Sequence, residues 1–188
     1  FDLGAAAHTL MLSKGARFAV IDAPDWRTKD AREKRETARV AGMTPILAAD
    51  MIEVEAMVAA GRAQLAEHEE GRFAFRDGDA EMVIKWQEDN GVWCRAMLDH
   101  HKPGWIWDYK TTGGSANPEV WGSGQLFDRG FDVQAAFYLR PYGGHGSTHN
   151  FRFVVQENKP PYALSVVALS PAALGMAERK VERAIEVW

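Results

Sequence analysis

The architecture of this chain follows from one segment, Gly91-Val-Trp-Cys-Arg-Ala-Met-Leu-Asp99, then His-His-Lys-Pro-Gly104, then Trp105-Ile-Trp-Asp108-Tyr-Lys110-Thr-Thr112. Two apolar, aromatic-rich runs flank a Pro-Gly pair, which predicts a β-hairpin. With that pair at the tip, antiparallel pairing sets Asp99 opposite Asp108 and Met97 opposite Lys110. Pro-Gly is not a favoured two-residue hairpin turn, which leaves the register open to slippage.

The polar residues of this hairpin are suited to binding a metal ion and a phosphate. Because side chains alternate along a strand, Asp108 and Lys110 share a face with Asp99. The two carboxylates could hold a divalent cation, with the carbonyl of Tyr109 as a further oxygen ligand. Lys110 could orient or deprotonate an attacking water, or hold a phosphate oxygen. The alternative is an ordinary exposed salt bridge between Asp108 and Lys110.

The composition is that of an ordinary folded protein. Of the 188 residues, 46% are apolar and 26% charged, which predicts one domain over residues 1–188. No run of about 18 apolar residues occurs, so we expect no membrane span. The start at Phe1 lacks a signal peptide and an initiator Met, which suggests trimming at the N-terminus. The single cysteine, Cys94, excludes an internal disulfide and a cysteine-bound iron–sulfur cluster, and favours the cytoplasm.

The formal charge of −4 argues against a protein that coats DNA through general positive charge. Any nucleic-acid track must therefore be local. The densest basic segment spans residues 27–39 and holds Arg27, Lys29, Arg32, Lys34, Arg35 and Arg39, interleaved with Asp30, Glu33 and Glu36. The alternative is a solvated helix face with ion pairs between residues one turn apart.

The hydrophobic pattern predicts a mixed α/β (α+β) domain, with helices before and after a β-meander and two further strands. We expect helices over residues 3–12, 30–40, 48–68, 132–139 and 171–188, and strands over 81–87, 91–99, 105–111, 151–156 and 162–169. Residues 18–21 form a short apolar run. The Gly and Ser content predicts a loop over residues 113–127 and a flexible connection over residues 142–147.

The order of these motifs resembles the PD-(D/E)xK nuclease superfamily, specifically its RecB-like branch and the RecE-type phage and prophage exonucleases within it. The resemblance covers nearly the whole chain. It is carried by Gly4-Ala-Ala-Ala-His8, the strand from Glu81 to Trp86, the Gly91–Asp99 and Asp108-Tyr-Lys110-Thr-Thr steps, Gln134-Ala-Ala-Phe-Tyr138, and Val154-Val-Gln-Glu-Asn-Lys-Pro-Pro-Tyr162. It implies a restriction-endonuclease-like core with a central mixed sheet and a β-meander flanked by helices.

The resemblance also implies roles for residues outside the hairpin. His8 would be a metal ligand beside Asp99 and Asp108, at a site for one or two Mg²⁺ or Mn²⁺ ions. Gln134 and Tyr138 would position the DNA backbone or the attacking water, and Glu81 would be an outer carboxylate of the site.

Each of these roles has an ordinary alternative. His8 could be a histidine of the core, and Glu81 a charge at the end of a strand. Gln134 and Tyr138 could be polar residues packed on an otherwise apolar helix. His100 and His101, directly after Asp99, could touch DNA or metal, but a solvent-exposed loop pair is the simpler expectation.

The function implied by the resemblance is metal-dependent hydrolysis of linear double-stranded DNA from its ends, 5′ to 3′, in phage-type recombination. Relatives of this kind assemble as rings, often tetramers, and act with a protein that anneals single strands. Two alternatives stay open. One is an endonuclease or repair nuclease of the same fold, and the other is a catalytically degenerate DNA-binding module.

Overall fold

The chain folds around a five-stranded mixed sheet with helices against both faces. A computed structural model describes residues 3–188, apart from the side chain of His145. The strands are β1 (Phe18–Ile21), β2 (Thr44–Leu47), β3 (Asp79–Gln87), β4 (Trp93–Lys102), β5 (Trp105–Thr112), β6 (Asn150–Glu157) and β7 (Leu164–Val167). The α-helices are α1 (Leu3–Leu12), α2 (Lys29–Val40), α3 (Ala48–Glu67), α4 (Pro118–Ser123), α5 (Gln125–Asp128), α6 (Phe131–Leu139) and α7 (Pro171–Val187).

The main sheet has the strand order β3-β4-β5-β6-β7. Strands β3, β4 and β5 form an antiparallel meander, β5 and β6 are parallel, and β7 returns antiparallel to β6. Helices α4 to α6 connect the two parallel strands, as a parallel crossover requires. The predicted mixed α/β class, with a central sheet, a meander and flanking helices, is therefore confirmed.

Two large hydrophobic clusters form most of the core, one on each face of this sheet, and a small third cluster joins α6 to α7. Trp107 and Tyr109 of β5 pack in the first cluster with residues of α1 and α3. Ile106 packs in the second with residues of α4, α5 and α6. Because alternate residues of β5 are buried on opposite faces, Asp108 lies on the side of Ile106, fully buried against the α6 layer.

The hairpin register is the predicted one wherever β4 and β5 pair. His100 pairs with Trp107 and Lys102 with Trp105, around a Pro103–Gly104 turn in which Gly104 has φ +81°. The ladder stops at His100, however, so the predicted pairings of Asp99 with Asp108 and of Met97 with Lys110 are wrong. Beyond His100 towards its start, β4 pairs with β3 on its other edge, where Met97 lies opposite Val83.

Two parts of the chain are more ordered than the sequence predicted. The segment over residues 113–127 contains α4 and α5 rather than a loop. The Asn117 side chain accepts a hydrogen bond from Glu119 N at 2.9 Å and Pro118 opens the helix, so a capped start outweighs the Gly and Ser content. Strand β2 was not predicted, and it pairs in parallel with β1 despite Pro45.

No helix among the described residues is long and apolar enough to cross a membrane.

Candidate active site

Asp108 is the most deeply buried of the predicted site residues. Its side chain is 0% exposed on β5, contacts the Lys110 ammonium, and accepts a hydrogen bond from Gln134 Nε2 at 2.7 Å. Burial and, after it, the charge of Asp99 raise the pKa of this carboxyl to about 7, although Lys110 opposes the shift. The site thus holds a carboxylate whose negative charge is only partly compensated.

Asp99 lies at the point where β4 parts from β5. Its Oδ2 atom is 3.0 Å from His8 Nε2 on α1 and accepts a hydrogen bond from the backbone N–H of Tyr109 at 2.8 Å. The carboxylate therefore binds an amide next to Asp108 and brings the first helix to the sheet. Asp99 and Asp108 are close enough for the charge of one to raise the pKa of the other.

The β3–β4 ladder is interrupted at Glu81 and Asp99 without a change of register. Ala80 pairs with His100 and Met82 with Leu98 on either side, and Glu81 has φ +50°. A positive φ in a non-glycine strand residue is strained, and such strain concentrates at functional sites. On the two sides of this interruption β4 contacts different clusters, since Leu98 packs in the second cluster while His100 lies edge-on against Phe75 of the first.

His8 faces the acidic residues from the middle of α1. Burial would lower its pKa, but the hydrogen bond and charge of Asp99 raise it above its ordinary value. The charges of Asp108 and Glu81 add to this rise. Glu81 is thus near enough to His8 to act on it electrostatically, and its role as an outer carboxylate of the site stays a prediction. In this structure His8 is a hydrogen-bond partner of Asp99.

Helix α6 supplies Gln134 and Tyr138 to the other side of the site. The two residues are one helical turn apart, so both face the same way. Gln134 bonds Asp108 directly. Burial raises the pKa of Tyr138 while its hydrogen bond with Gln134 opposes the shift, and Asp108 and Asp99 also act on it. This face of α6 thus belongs to the same cluster as the two acids.

Two aromatic rings, neither of which was predicted from the sequence, hold the Lys110 ammonium in place. Its Nζ lies 5.0 Å from the centre of the Phe131 ring and 5.7 Å from that of Phe153, at distances typical of cation–π contacts. Alternation in β6 could have placed Phe153 on this face of the sheet. Nothing in the sequence indicates that Phe131 reaches it.

Tyr109 contributes its backbone to the site and its side chain to the core. The hydroxyl donates a hydrogen bond to Gln156 Oε1 at 2.6 Å on the opposite face of the sheet.

His100 and His101, expected to be an exposed loop pair, both belong to β4. His100 is 3% exposed and His101 stacks on Tyr142, so that expectation is wrong, because the strand continues to Lys102.

The donor chemistry of the two acids fits a divalent cation. Two carboxylates that repel each other in a buried position gain stability from a positive ion between them. As they stand, however, no three His, Cys, Asp or Glu side chains in residues 3–188 form a metal-binding cluster. The oxygens of Asp108 are bonded to Lys110 and Gln134, and that of Asp99 to His8 and Tyr109. Asp99 and Asp108 are the residues that would hold the ion, and His8 as a third ligand stays a prediction.

The basic segment over residues 27–39 is a solvated helix face for the most part. Its cations are largely paired, as Lys29 with Glu33 (3.7 Å), Lys34 with Asp30 (2.7 Å), Arg39 with Glu36 (2.9 Å) and Arg27 with Asp25 (2.5 Å). The geometry favours the ordinary alternative over a nucleic-acid track here.

Comparisons with known proteins agree with this geometry. The whole chain aligns with the crystal structure of a protein from Eubacterium rectale named "Putative exonuclease", of which it covers 68%. The TM-score is 0.55 and the sequence identity 13%. That likeness concerns the fold alone. No curated protein matches the sequence. A family model described as a PDDEXK-like domain of unknown function (DUF3799) matches residues 1–188. The chain therefore belongs to this PDDEXK-like family, within the PD-(D/E)xK nuclease superfamily.

Proposed function

We propose that this protein is a metal-dependent deoxyribonuclease that digests linear double-stranded DNA from its ends, 5′ to 3′, as the RecE-type exonucleases do. The observation that carries the proposal is the cluster of Asp99, Asp108, Lys110 and Gln134 at the interrupted β3–β4 ladder. An acid pair with a lysine two residues beyond the second acid is the arrangement from which the superfamily takes its name. Its burial supports a catalytic use over a surface salt bridge.

The residues of the site divide the work of hydrolysis. Asp108 and Asp99 supply anionic oxygens, and Gln134 fixes the orientation of the Asp108 carboxylate through its amide. Lys110, held as an ammonium by two aromatic rings, can donate to a phosphate oxygen, and its neutral amine form, once it has lost a proton, can accept one from the attacking water. Mg²⁺ or Mn²⁺ bound by the two acids would neutralise the phosphate charge and promote formation of hydroxide.

Matched DNA substrates test the proposal. Linear duplex labelled at either the 5′ or the 3′ end, and the same sequence as a covalently closed circle, are incubated with the protein in Mg²⁺, in Mn²⁺ and in EDTA. We expect mononucleotide release from the linear duplex with loss of the 5′ label first, an intact circle, and no digestion in EDTA. A nicked or linearised circle would instead assign an endonuclease.

Asp108→Asn is the matched control, because it keeps the shape of the side chain and removes its charge. We expect this variant to fold and to lose digestion of the linear duplex. Full activity in Asp108→Asn would contradict the assigned site. If Asp108→Asn loses its folded circular dichroism signal as well as its activity, Asp99→Asn takes its place in the test, because Asp99 is less buried. Full activity in a folded Asp99→Asn variant would also contradict the assigned site.

The ring assembly and the annealing partner are part of the same proposal. The outer face of the β3–β4 ribbon supports a contact between copies, because Val83, Met97 and Trp93 are 44%, 48% and 70% exposed there. Light scattering on the purified chain should give a mass several times that of one subunit. A monomer at all concentrations would contradict the ring.

A further inference from the structure

A basic groove runs along one side of α1 and is not used by the site described above. It consists of two adjoining clefts of about 510 and 380 Å³ that share Ser13 and Arg62. The cations along it are Lys14, Arg17, Arg62, Arg72 and Arg76. Among the described residues that line it, Glu55 is the one acid. The groove therefore concentrates positive charge in a chain whose net charge is −4.

The groove differs from the charged helix α2 in that its cations are not neutralised. Within the described part of the chain, none of the five forms an ion pair, whereas most of the cations of α2 pair with an acid of the same helix. All five are exposed. Exposed, uncompensated cations in a concave surface attract a polyanion. Arg62 also has a structural role, since it donates to Leu10 O at 2.8 Å at the end of α1.

Three connections place this groove beside the acid pair. Thr9 lines it and directly follows His8 in α1. Lys14 Nζ donates to the carbonyl of Ala80, the residue before Glu81. Phe75, which lines the second cleft, lies edge-on against the Tyr109 ring at 6.0 Å between ring centres, and the backbone N–H of Tyr109 binds Asp99. The groove therefore adjoins the site on the side of His8 and Glu81.

The segment that carries Arg72 and Arg76 has two further features of a binding surface. Phe73 is 48% exposed between two cations, with Arg72 Cζ 4.8 Å and Lys102 Nζ 5.3 Å from its ring centre. An exposed aromatic ring flanked by cations can stack on a nucleobase while the cations contact phosphates. Phe75 has φ +55°, an unusual conformation for a bulky residue. That conformation accompanies the anchoring of Phe75 against β4 and β5.

We infer that this groove, through Arg72 and Arg76 above all, binds the sugar–phosphate backbone of the DNA strand that passes to or from the acid pair. The inference rests on the proposed function, whose DNA substrate it assigns to a surface. It does not depend on cleavage, because phosphate binding can be measured on a variant that cannot hydrolyse DNA.

The experiment compares two double variants in the full chain carrying Asp108→Asn. Arg72→Ala/Arg76→Ala removes two groove cations, and Arg32→Ala/Arg179→Ala removes two exposed cations outside the groove. Both change the net charge equally, so general electrostatic attraction falls equally. The probe is a short fluorescein-labelled DNA duplex, and its affinity is measured by anisotropy over a series of NaCl concentrations.

We expect the groove variant to bind about tenfold more weakly and its log–log salt slope to fall by about 2, since each lost phosphate contact removes about 0.9 from the slope. The control variant should keep the parent slope. A charge-conserving Arg72→Lys/Arg76→Lys variant should retain most of the affinity and guards against a folding defect. Equal losses in groove and control variants, or loss in the lysine variant as large as in the alanine variant, would overturn the inference.

The two proposals fail in different ways. If the wild-type chain digests DNA but the salt slope of DNA binding is unchanged in the groove variant, the nuclease proposal holds and the inference about the groove is wrong. If DNA binding depends on the groove but no digestion occurs, the inference about the groove holds and the nuclease proposal is wrong.

Discussion

The carboxyl of Asp108 should make the stability of the metal-free protein fall as pH rises. Its pKa is about 7 in the folded chain against 3.8 without the fold. Between those values the folded state holds a proton that the unfolded state has released, so stability is lost as pH rises through that window. Across this window the free energy of unfolding falls by about 4 kcal/mol at most.

Urea unfolding in EDTA at pH 5 and pH 8 measures this effect. We expect Asp108→Asn to gain stability relative to wild type at pH 8 and much less at pH 5, because the amide cannot ionise. The remaining titratable groups are common to both proteins and cancel in the comparison. The same difference at both pH values would show that Asp108 is not buried with a raised pKa.

Lys110→Ala should separate turnover from metal affinity. The ammonium contacts Asp108 in the absence of an ion, so it competes for the same carboxylate. We expect turnover on linear duplex to fall by about 100-fold or more, as for loss of a proton-transfer group, while Mn²⁺ affinity is kept or rises. Calorimetry and single-turnover digestion give the two quantities. A large loss of Mn²⁺ binding would contradict the role assigned to Lys110.

At the scale of residues, strand alternation predicted that Asp99, Asp108 and Lys110 converge. The pairing around the Pro103–Gly104 turn follows the predicted register, but the ladder ends before Asp99 and Asp108, which lie near each other where the two strands part. The burial of His100 and the rings around Lys110 could not be predicted, because they depend on residues distant in sequence, such as Phe75 and Phe131.

At the scale of elements, α3 and β6 approach closely where a glycine leaves room. A Cβ atom at Gly61 would lie 2.6 Å from Oε1 of the fully buried Gln156. That amide also donates to Met57 O at 2.7 Å and accepts from the Tyr109 hydroxyl. The methyl group would force a hydrogen-bonded side chain out of place.

Gly61→Ala should therefore destabilise the protein by about 1–3 kcal/mol, the usual cost of overpacking. Gly175→Ala is the matched control, since nothing lies within 4 Å of a Cβ there in α7. It should be neutral or stabilise by up to about 1 kcal/mol through helix propensity. Thermal or urea unfolding compares the two. Equal effects would mean that α3 and β6 do not meet at this position.

The elements that the sequence predicted well are long, such as α3, α7 and the strands of the meander. Those that it missed are short. Strand β2 has four residues and contains Pro45, and its pairing partner β1 is 26 residues earlier at Phe18↔Thr44. Helices α4 and α5 have six and four residues, too few to show a pattern, and depend on the Asn117 cap and on burial of Trp121.

At the scale of the whole molecule, the order of motifs carried more information than any one of them. Each short motif is common by chance, yet their sequence fixes a helix, a meander and a second helix around one acid pair. The structure brings His8, Glu81, Gln134 and Tyr138 to that pair from three different elements. The basic groove was not predicted, because its cations are spread from Lys14 to Arg76 and become neighbours only in the fold.

Calorimetric titration of Mn²⁺ into the metal-free chain tests most directly whether the acid pair is a cation site. At pH 8, above the pKa of Asp108, wild type should bind Mn²⁺, and the affinity should weaken as pH falls below 7 because the ligand becomes protonated. Asp108→Asn should lose this binding. Absence of binding in wild type at pH 8, or equal binding in the two proteins, would contradict the account.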